Sequence, residues 1–176
     1  LSLVGGKWTT FRAVAARLAD ELMSRIGRTR VRSTKGLPIG GAVGFPRTDA
    51  ERDAWVHHHL SDFGAERGTR LLHRYGTHAL AVAASLRQDA QDAPLSSLPR
   101  FSSGEFRHIA RTESIVHLED VLLRRTNIAF RGEATPEVVE EVADAVADVM
   151  GWDAATRRTE IDRALAAVHA ADPVAV

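Results

Sequence analysis

The 176-residue sequence contains no cysteine. Disulfides and thiolate metal sites are thereby excluded, and a cytoplasmic location fits better than a disulfide-stabilised secreted one. No apolar run approaches the roughly 20 residues of a membrane span, and no signal peptide is visible, so any membrane contact is expected to be peripheral. Net charge is also missing: 23 basic residues balance 23 acidic ones, which gives no support for nucleic-acid binding. Fixed-period repeats and low-complexity tracts are absent too. What is present is the composition of an ordinary globular protein, 44% hydrophobic and 26% charged, with length for one good-sized domain or one domain plus part of another.

The chain begins at Leu1 without a methionine. Leu1-Ser-Leu-Val4 reads as an interior strand with no partner nearby in sequence, as expected of a segment cut from a longer protein. It breaks at Gly5-Gly6 and runs into a helix. Thr9 or Thr10 is placed to cap that helix, whose apolar stripe is Phe11, Val14, Ala15, Leu18, Leu22 and Ile26 and whose end is Gly27. A strand, a glycine turn and a helix N-terminus collect free N–H groups at one point, where an anion or polarised carbonyl can be held. The helix is expected to persist by laying its stripe on another surface, while the strand frays or pairs with a neighbouring molecule.

Residues 28–47 read as a linker, glycine-rich between Lys35 and Gly44. Thr48-Asp-Ala-Glu51 is a capping box ahead of a helix with Trp55, Val56, Leu60 and Phe63. Its His57-His58-His59 point about 100° apart, so they cannot converge on one metal, and no metal site is expected. A helix from Ala65 to Tyr75 ends at Gly76, and another restarts at Thr77 with Leu80, Val82, Ala83 and Leu86 inward. Gln88 to Pro99 loses periodicity and reads as a surface connection. Ser102-Ser-Gly-Glu105 is a second capping box, leading into Phe106, Ile109 and Ala110. The stretch from Thr112 to Thr126 mixes charge with apolar side chains, and Asp120 and Arg124 stand one helical turn apart. Thr135-Pro136-Glu137 starts a helix carrying Val138, Val142, Val146 and Val149 to Gly151. Asp153 caps a last helix with Ile161, Leu165 and Val168, which forms an antiparallel hairpin with its predecessor.

Four stretches narrow the function. Gly5-Gly-Lys-Trp-Thr-Thr-Phe-Arg12 closely resembles the segment near the end of the flavin-binding domain of FAD-dependent glycerol-3-phosphate dehydrogenases. Leu37-Pro-Ile-Gly-Gly41, Arg74-Tyr-Gly-Thr77, and Glu113 with Leu118 through Thr126 follow in that family's order. The resemblance implies a mainly α chain: 1–27 the end of an α/β FAD-binding domain, 28–47 a linker, and 48–176 a helical C-terminal domain. It implies oxidation of sn-glycerol 3-phosphate to dihydroxyacetone phosphate by hydride transfer to FAD, with electrons passing to quinone. It also leaves room for a homodimer and for contact with the inner face of the cell membrane.

On this resemblance Gly5, Gly6, Lys7, Trp8, Thr9 and Thr10 line the flavin, and Lys7 adds its charge at the flavin or at the substrate phosphate. The family's Gly-rich pyrophosphate fingerprint has no counterpart here, so this chain alone is expected neither to hold FAD nor to turn over substrate. Glu113, Asp120, Arg124 and Arg125 are expected to form an ion-pair network that fixes the helical domain, and Tyr75 to be a core aromatic with its hydroxyl at the edge. The rival class is a non-catalytic helical module for protein interaction, oligomerisation or membrane association.

Overall fold

The computed structural model describes residues 7–171. Leu1 to Gly6, with the expected strand and glycine turn, lie outside the described residues. Within them the protein is mainly α, as expected, and contains no strand, only an isolated antiparallel bridge between Pro94 and Ser102.

A 3-10 turn at Trp8–Thr10 leads into α1, Phe11–Arg25. Neither threonine caps α1 through its side chain; the Thr10 hydroxyl instead donates back to the Lys7 carbonyl at 3.0 Å. The expected docking of the α1 stripe does not occur. No residue of α1 is buried, and Phe11, Leu22 and the following Ile26 are all exposed. The helix is held by local terms instead, including Glu21–Arg25 at i,i+4 and a two-point Arg30–Asp20 pair that folds the linker back along it.

The next three helices build one apolar cluster. The Thr48 capping box is complete, with Glu51 N–H donating to Thr48 Oγ1 at 3.2 Å and Thr48 N–H to Glu51 Oε2 at 3.0 Å. It starts α2, Asp49–Leu60, which packs on α3, Ala65–Tyr75, and both meet α4, Ala79–Arg87. Val56, Leu60, Leu71, Leu72, Val82 and Leu86 are the larger buried residues. Leu80 corrects the expected inward set, since it is exposed. Ala79, Val82, Ala83 and Leu86 keep the i, i+3, i+4, i+7 spacing, and Leu80 stands about 100° off that stripe.

A second, larger cluster gathers α5, Ser103–Thr112, α6, Leu118–Asp120, α7, Pro136–Met150, and α8, Ala154–Ala171. A π turn at Val121–Arg125 continues α6. The α7–α8 hairpin forms as expected: Gly151 ends α7 in the left-handed conformation, and Asp153 Oδ1 accepts the Thr156 N–H at 2.7 Å. The Gln88–Pro99 connection is not merely a surface loop. Leu95 and Leu98 are buried in the second cluster. Leu95 N–H donates to Phe101 O at 3.0 Å and Ser103 N–H to Ala93 O at 2.9 Å, and this pinning drives both leucines inward without helical periodicity.

Candidate functional site

Two of the short motifs meet in space. Gly41, at the end of Leu37–Gly41, is buried against the turn of Arg74–Thr77. Thr77 N–H donates to Gly41 O at 2.9 Å, and the Thr77 hydroxyl lies 3.1 Å from the same oxygen and 2.9 Å from Val43 O. Both glycines have positive φ, +62° at Gly41 and +59° at Gly76, a region that side chains disfavour. The crossing therefore requires glycine twice, for backbone conformation and for closeness of approach. The late linker is fastened to the C-terminal end of α3, beside a groove bounded by Gly40, Ala42, Phe45, His73, Tyr75 and His78.

Immediately beyond the crossing, a buried polar network joins the two apolar clusters. Glu105 on α5 is 2% exposed. Its Oε1 accepts from Arg74 and, at 3.0 Å, from the Tyr75 hydroxyl; its Oε2 accepts the Ser102 N–H at 3.1 Å. Arg74 also donates to Arg100 O at 3.0 Å and lies over the Phe101 ring, 3.6 Å from its centroid. Burial, followed by the charge of Glu105, pushes the Tyr75 hydroxyl well above its ordinary value, so it stays a donor. Two turns earlier on α3, Arg67 pairs with Asp92 and donates to Ser102 Oγ at 2.9 Å. The seam is thus satisfied by charge-assisted hydrogen bonds rather than by apolar contact.

Gly5 and Gly6 lie outside the described residues. Lys7 is extended and exposed, and Trp8, Thr9 and Thr10 are exposed as well, Trp8 at 90%. A flavin ring needs an enclosing cradle with donors aimed into it. Lys7–Thr10 supply a cation and a helical turn, which would make one side of such a cradle and not the whole of it.

Arg125 pairs with Glu113 at 3.0 Å, and Asp120 accepts from Arg124. Asp120 also accepts the Val116 and His117 N–H groups at 2.9 and 3.0 Å, which caps α6. These four residues form the expected ion pairs. The Arg124 side chain is 55% exposed, so its pair contributes only about 0.3–0.5 kcal/mol. Among the described residues no group of three or more His, Asp or Glu is placed to hold a metal. Tyr75 is partly buried against the first cluster, as a core aromatic was expected to be, but its hydroxyl turns onto the buried Glu105 rather than to the edge. From sequence Glu105 reads only as a capping residue, and nothing local marks Arg67, Asp92 or Arg100. A usable signal was the spacing of Arg67, Arg70 and Arg74 beside a helix that otherwise faces a core.

An all-helical module with a glycine crossing and a buried arginine–carboxylate seam is therefore the class of domain this chain defines. Residues 32–157 match the family described as the C-terminal domain of alpha-glycerophosphate oxidase, and the chain belongs to that family. It is 31% identical over 176 residues to glycerol-3-phosphate dehydrogenase 2 of Mycobacterium tuberculosis (strain ATCC 25618 / H37Rv), covering 97% of this chain and 29% of the relative. With the glycerol-3-phosphate dehydrogenase of Mycobacterium leprae (strain TN) it shares 31% identity over 179 residues, 97% of this chain and 28% of the relative. With a probable mitochondrial glycerol-3-phosphate dehydrogenase of Caenorhabditis elegans it shares 26% over 174 residues, 93% and 23%. The chain thus spans less than a third of these relatives.

Proposed function

We propose that this chain acts as the C-terminal helical part of an FAD-dependent glycerol-3-phosphate dehydrogenase. The reaction is oxidation of sn-glycerol 3-phosphate to dihydroxyacetone phosphate, in which FAD, when bound, is the hydride acceptor and quinone the onward electron acceptor. The observation that carries this reading is similarity over nearly the whole chain to proteins named for that activity, together with the match to the oxidase C-terminal domain. Residues 1–27 are assigned to the end of the FAD-binding domain, 28–47 to the linker and 48–176 to the helical domain. The Gly41–Thr77 bonds fasten the late linker to the helical body. Gly5, Gly6 and Lys7–Thr10 are assigned to one wall of the site, with Lys7 presenting its charge to flavin or substrate phosphate. The exposure of Lys7–Thr10 supports the further reading that the isolated chain is inactive.

No helix among the described residues is long and apolar enough to cross a membrane, so association with the inner face of the membrane is proposed as peripheral. The test is direct. The purified chain should show no flavin absorbance and no phenazine- or quinone-coupled oxidation of glycerol 3-phosphate. The protein carrying this chain together with an upstream Gly-x-Gly-x-x-Gly domain should be yellow and active. A colourless, inactive longer protein would overturn the flavoenzyme reading, and a yellow isolated chain would overturn the inactive-fragment reading.

A further inference from the structure

The last of the four stretches that resemble the flavoenzyme family, Leu118 through Thr126, runs directly into a loop that holds an aromatic ring out in solvent. Phe130 is 95% exposed. Single exposed apolar side chains are common on protein surfaces, but the backbone beneath this one is fixed on both sides. Before it, the Thr126 hydroxyl closes the π turn of Val121–Arg125 by donating to Val121 O at 2.9 Å, and Ala129 N–H donates to Leu122 O at 3.3 Å. Ile128 is buried in the second cluster and pins the base of the loop. After it, Glu133 N–H donates to Ile128 O at 3.0 Å and Gly132 N–H to Ala129 O at 2.9 Å. These are the paired bonds that end a helical turn, and Gly132 takes the left-handed conformation they need, with φ +69°.

Such a mount suits an interface anchor. An aromatic side chain carried on a backbone that is ordered before contact loses little entropy on docking. The charges around it choose the partner. A wedge that enters a membrane keeps cations free to meet anionic headgroups. Here Arg124 is matched by Asp120 and Glu119, Arg125 by Glu113, and Arg131 and Arg100 together by Glu133. A balanced, ion-paired rim around an apolar anchor suits a protein surface instead. On the proposed reading a large protein surface is already attached, since this chain spans less than a third of its relatives. Covalent attachment raises the effective concentration, so a contact of modest area is enough.

We propose that Phe130 inserts into an apolar pocket on the flavin-binding part of the complete protein and anchors the helical domain against it. The inference rests on the reading of this chain as the C-terminal part of a flavoenzyme. The Arg125–Glu113 and Arg131–Glu133 pairs then form the rim that excludes water from the contact.

The chain has no cysteine, so Phe130→Cys places its one thiol at the loop tip. Reaction of that thiol with a water-soluble maleimide, read by peptide mass mapping, should be about tenfold slower in the complete protein than in the isolated chain. Phe130→Asp should leave the melting temperature of the isolated chain unchanged, because the ring is exposed there, and should lower that of the complete protein by about 3 °C. Equal thiol reactivity in the two proteins would overturn the proposal, and this readout decides even where the complete Phe130→Asp protein does not fold. Protection that appears only with anionic phospholipid vesicles, or only at high protein concentration, would also overturn it by assigning the loop to a membrane or to a second copy. Flavin absorbance of the unaltered complete protein is scored separately. A colourless protein with a protected thiol sinks the enzymatic reading and keeps the contact, whereas a yellow protein with a reactive thiol does the reverse.

Discussion

Gly41 and Gly76 cross so closely that neither has room for a side chain: a Cβ on Gly41 would lie 2.1 Å from Tyr75 O, and one on Gly76 would lie 2.4 Å from Gly41 O. Gly76→Ala should therefore add steric conflict to an unfavourable φ and break the hydrogen bonds of Thr77 to the linker. The expected loss is about 2–4 kcal/mol in urea unfolding, with faster amide exchange at Thr77 and faster proteolysis between residues 28 and 45. Gly151→Ala is the control. Its φ is also positive, +68°, but nothing lies within 4 Å of the added carbon, so it should cost only about 1 kcal/mol. Equal effects of the two substitutions would mean that the close approach contributes nothing.

Glu105 and Arg74 should behave as a coupled pair. Glu105→Gln leaves Arg74, whose side chain is only 21% exposed, without its counter-charge, and its single amide oxygen can serve either Ser102 N–H or Arg74 and Tyr75, not both sides. A loss of about 3 kcal/mol is expected. Arg74→Met in the same background should recover part of it, because the double substitution leaves no uncompensated buried charge. A double-mutant cycle measured by denaturant unfolding reads the coupling. Strictly additive losses would show that the two groups act independently.

Much of this fold was legible in the sequence, and the failures share a cause. Helix positions and caps follow from local rules: Thr48-x-x-Glu51, Thr135-Pro136 and Gly151 all act as expected. The outcome for α1 differs because a stripe such as Phe11, Leu22 and Ile26 says that a partner surface is wanted, not that one is within reach. Leu95 and Leu98 were invisible for the opposite reason, since a non-periodic segment held by its own backbone bonds can bury side chains without leaving a pattern. The seam was partly visible, in that Arg74 and Tyr75 stood out as a motif. Their partner Glu105 lies about thirty residues away, a distance that no window-based pattern spans.

Acid should weaken the fold in two steps. Burial, with Arg111 adding to it and Glu113 opposing it, holds the His108 imidazole below its ordinary value. Between that lowered value and about 6.5 the unfolded chain binds more protons, so stability rises with pH there. The His108 contribution is complete above about 6.5 and is lost as pH falls through the folded value. The Arg107 hydrogen bond holds Asp89 below its ordinary range, and the His117 and Val116 N–H groups with Arg124 do the same for Asp120. Their contributions are present above the ordinary aspartate value and are lost on further acidification. Urea midpoints at pH 7.5 and 5.5 should differ, with the lower midpoint at pH 5.5, and His108→Gln should shrink that difference. An unchanged difference would assign the step to other histidines.

Lys7 carries the sharpest catalytic expectation. It is exposed and extended at the start of the Trp8–Thr10 turn, and its carbonyl, bonded to Thr10 N–H and Oγ1 at 3.0 Å, fixes the backbone while leaving the side chain unconstrained. A cation so placed can serve an anionic group brought to it by the rest of the enzyme. Lys7→Met in the full-length protein should lower glycerol 3-phosphate oxidation at least several-fold. If the charge meets the substrate phosphate equally in ground and transition states, KM rises and kcat holds. If it acts only as charge develops during reaction, kcat and kcat/KM fall together. The unfolding midpoint should not move, because Lys7 is exposed and has no buried contact among the described residues. Unchanged kinetics in a stably folded Lys7→Met protein would remove Lys7 from the mechanism and leave the opening motif a backbone role alone.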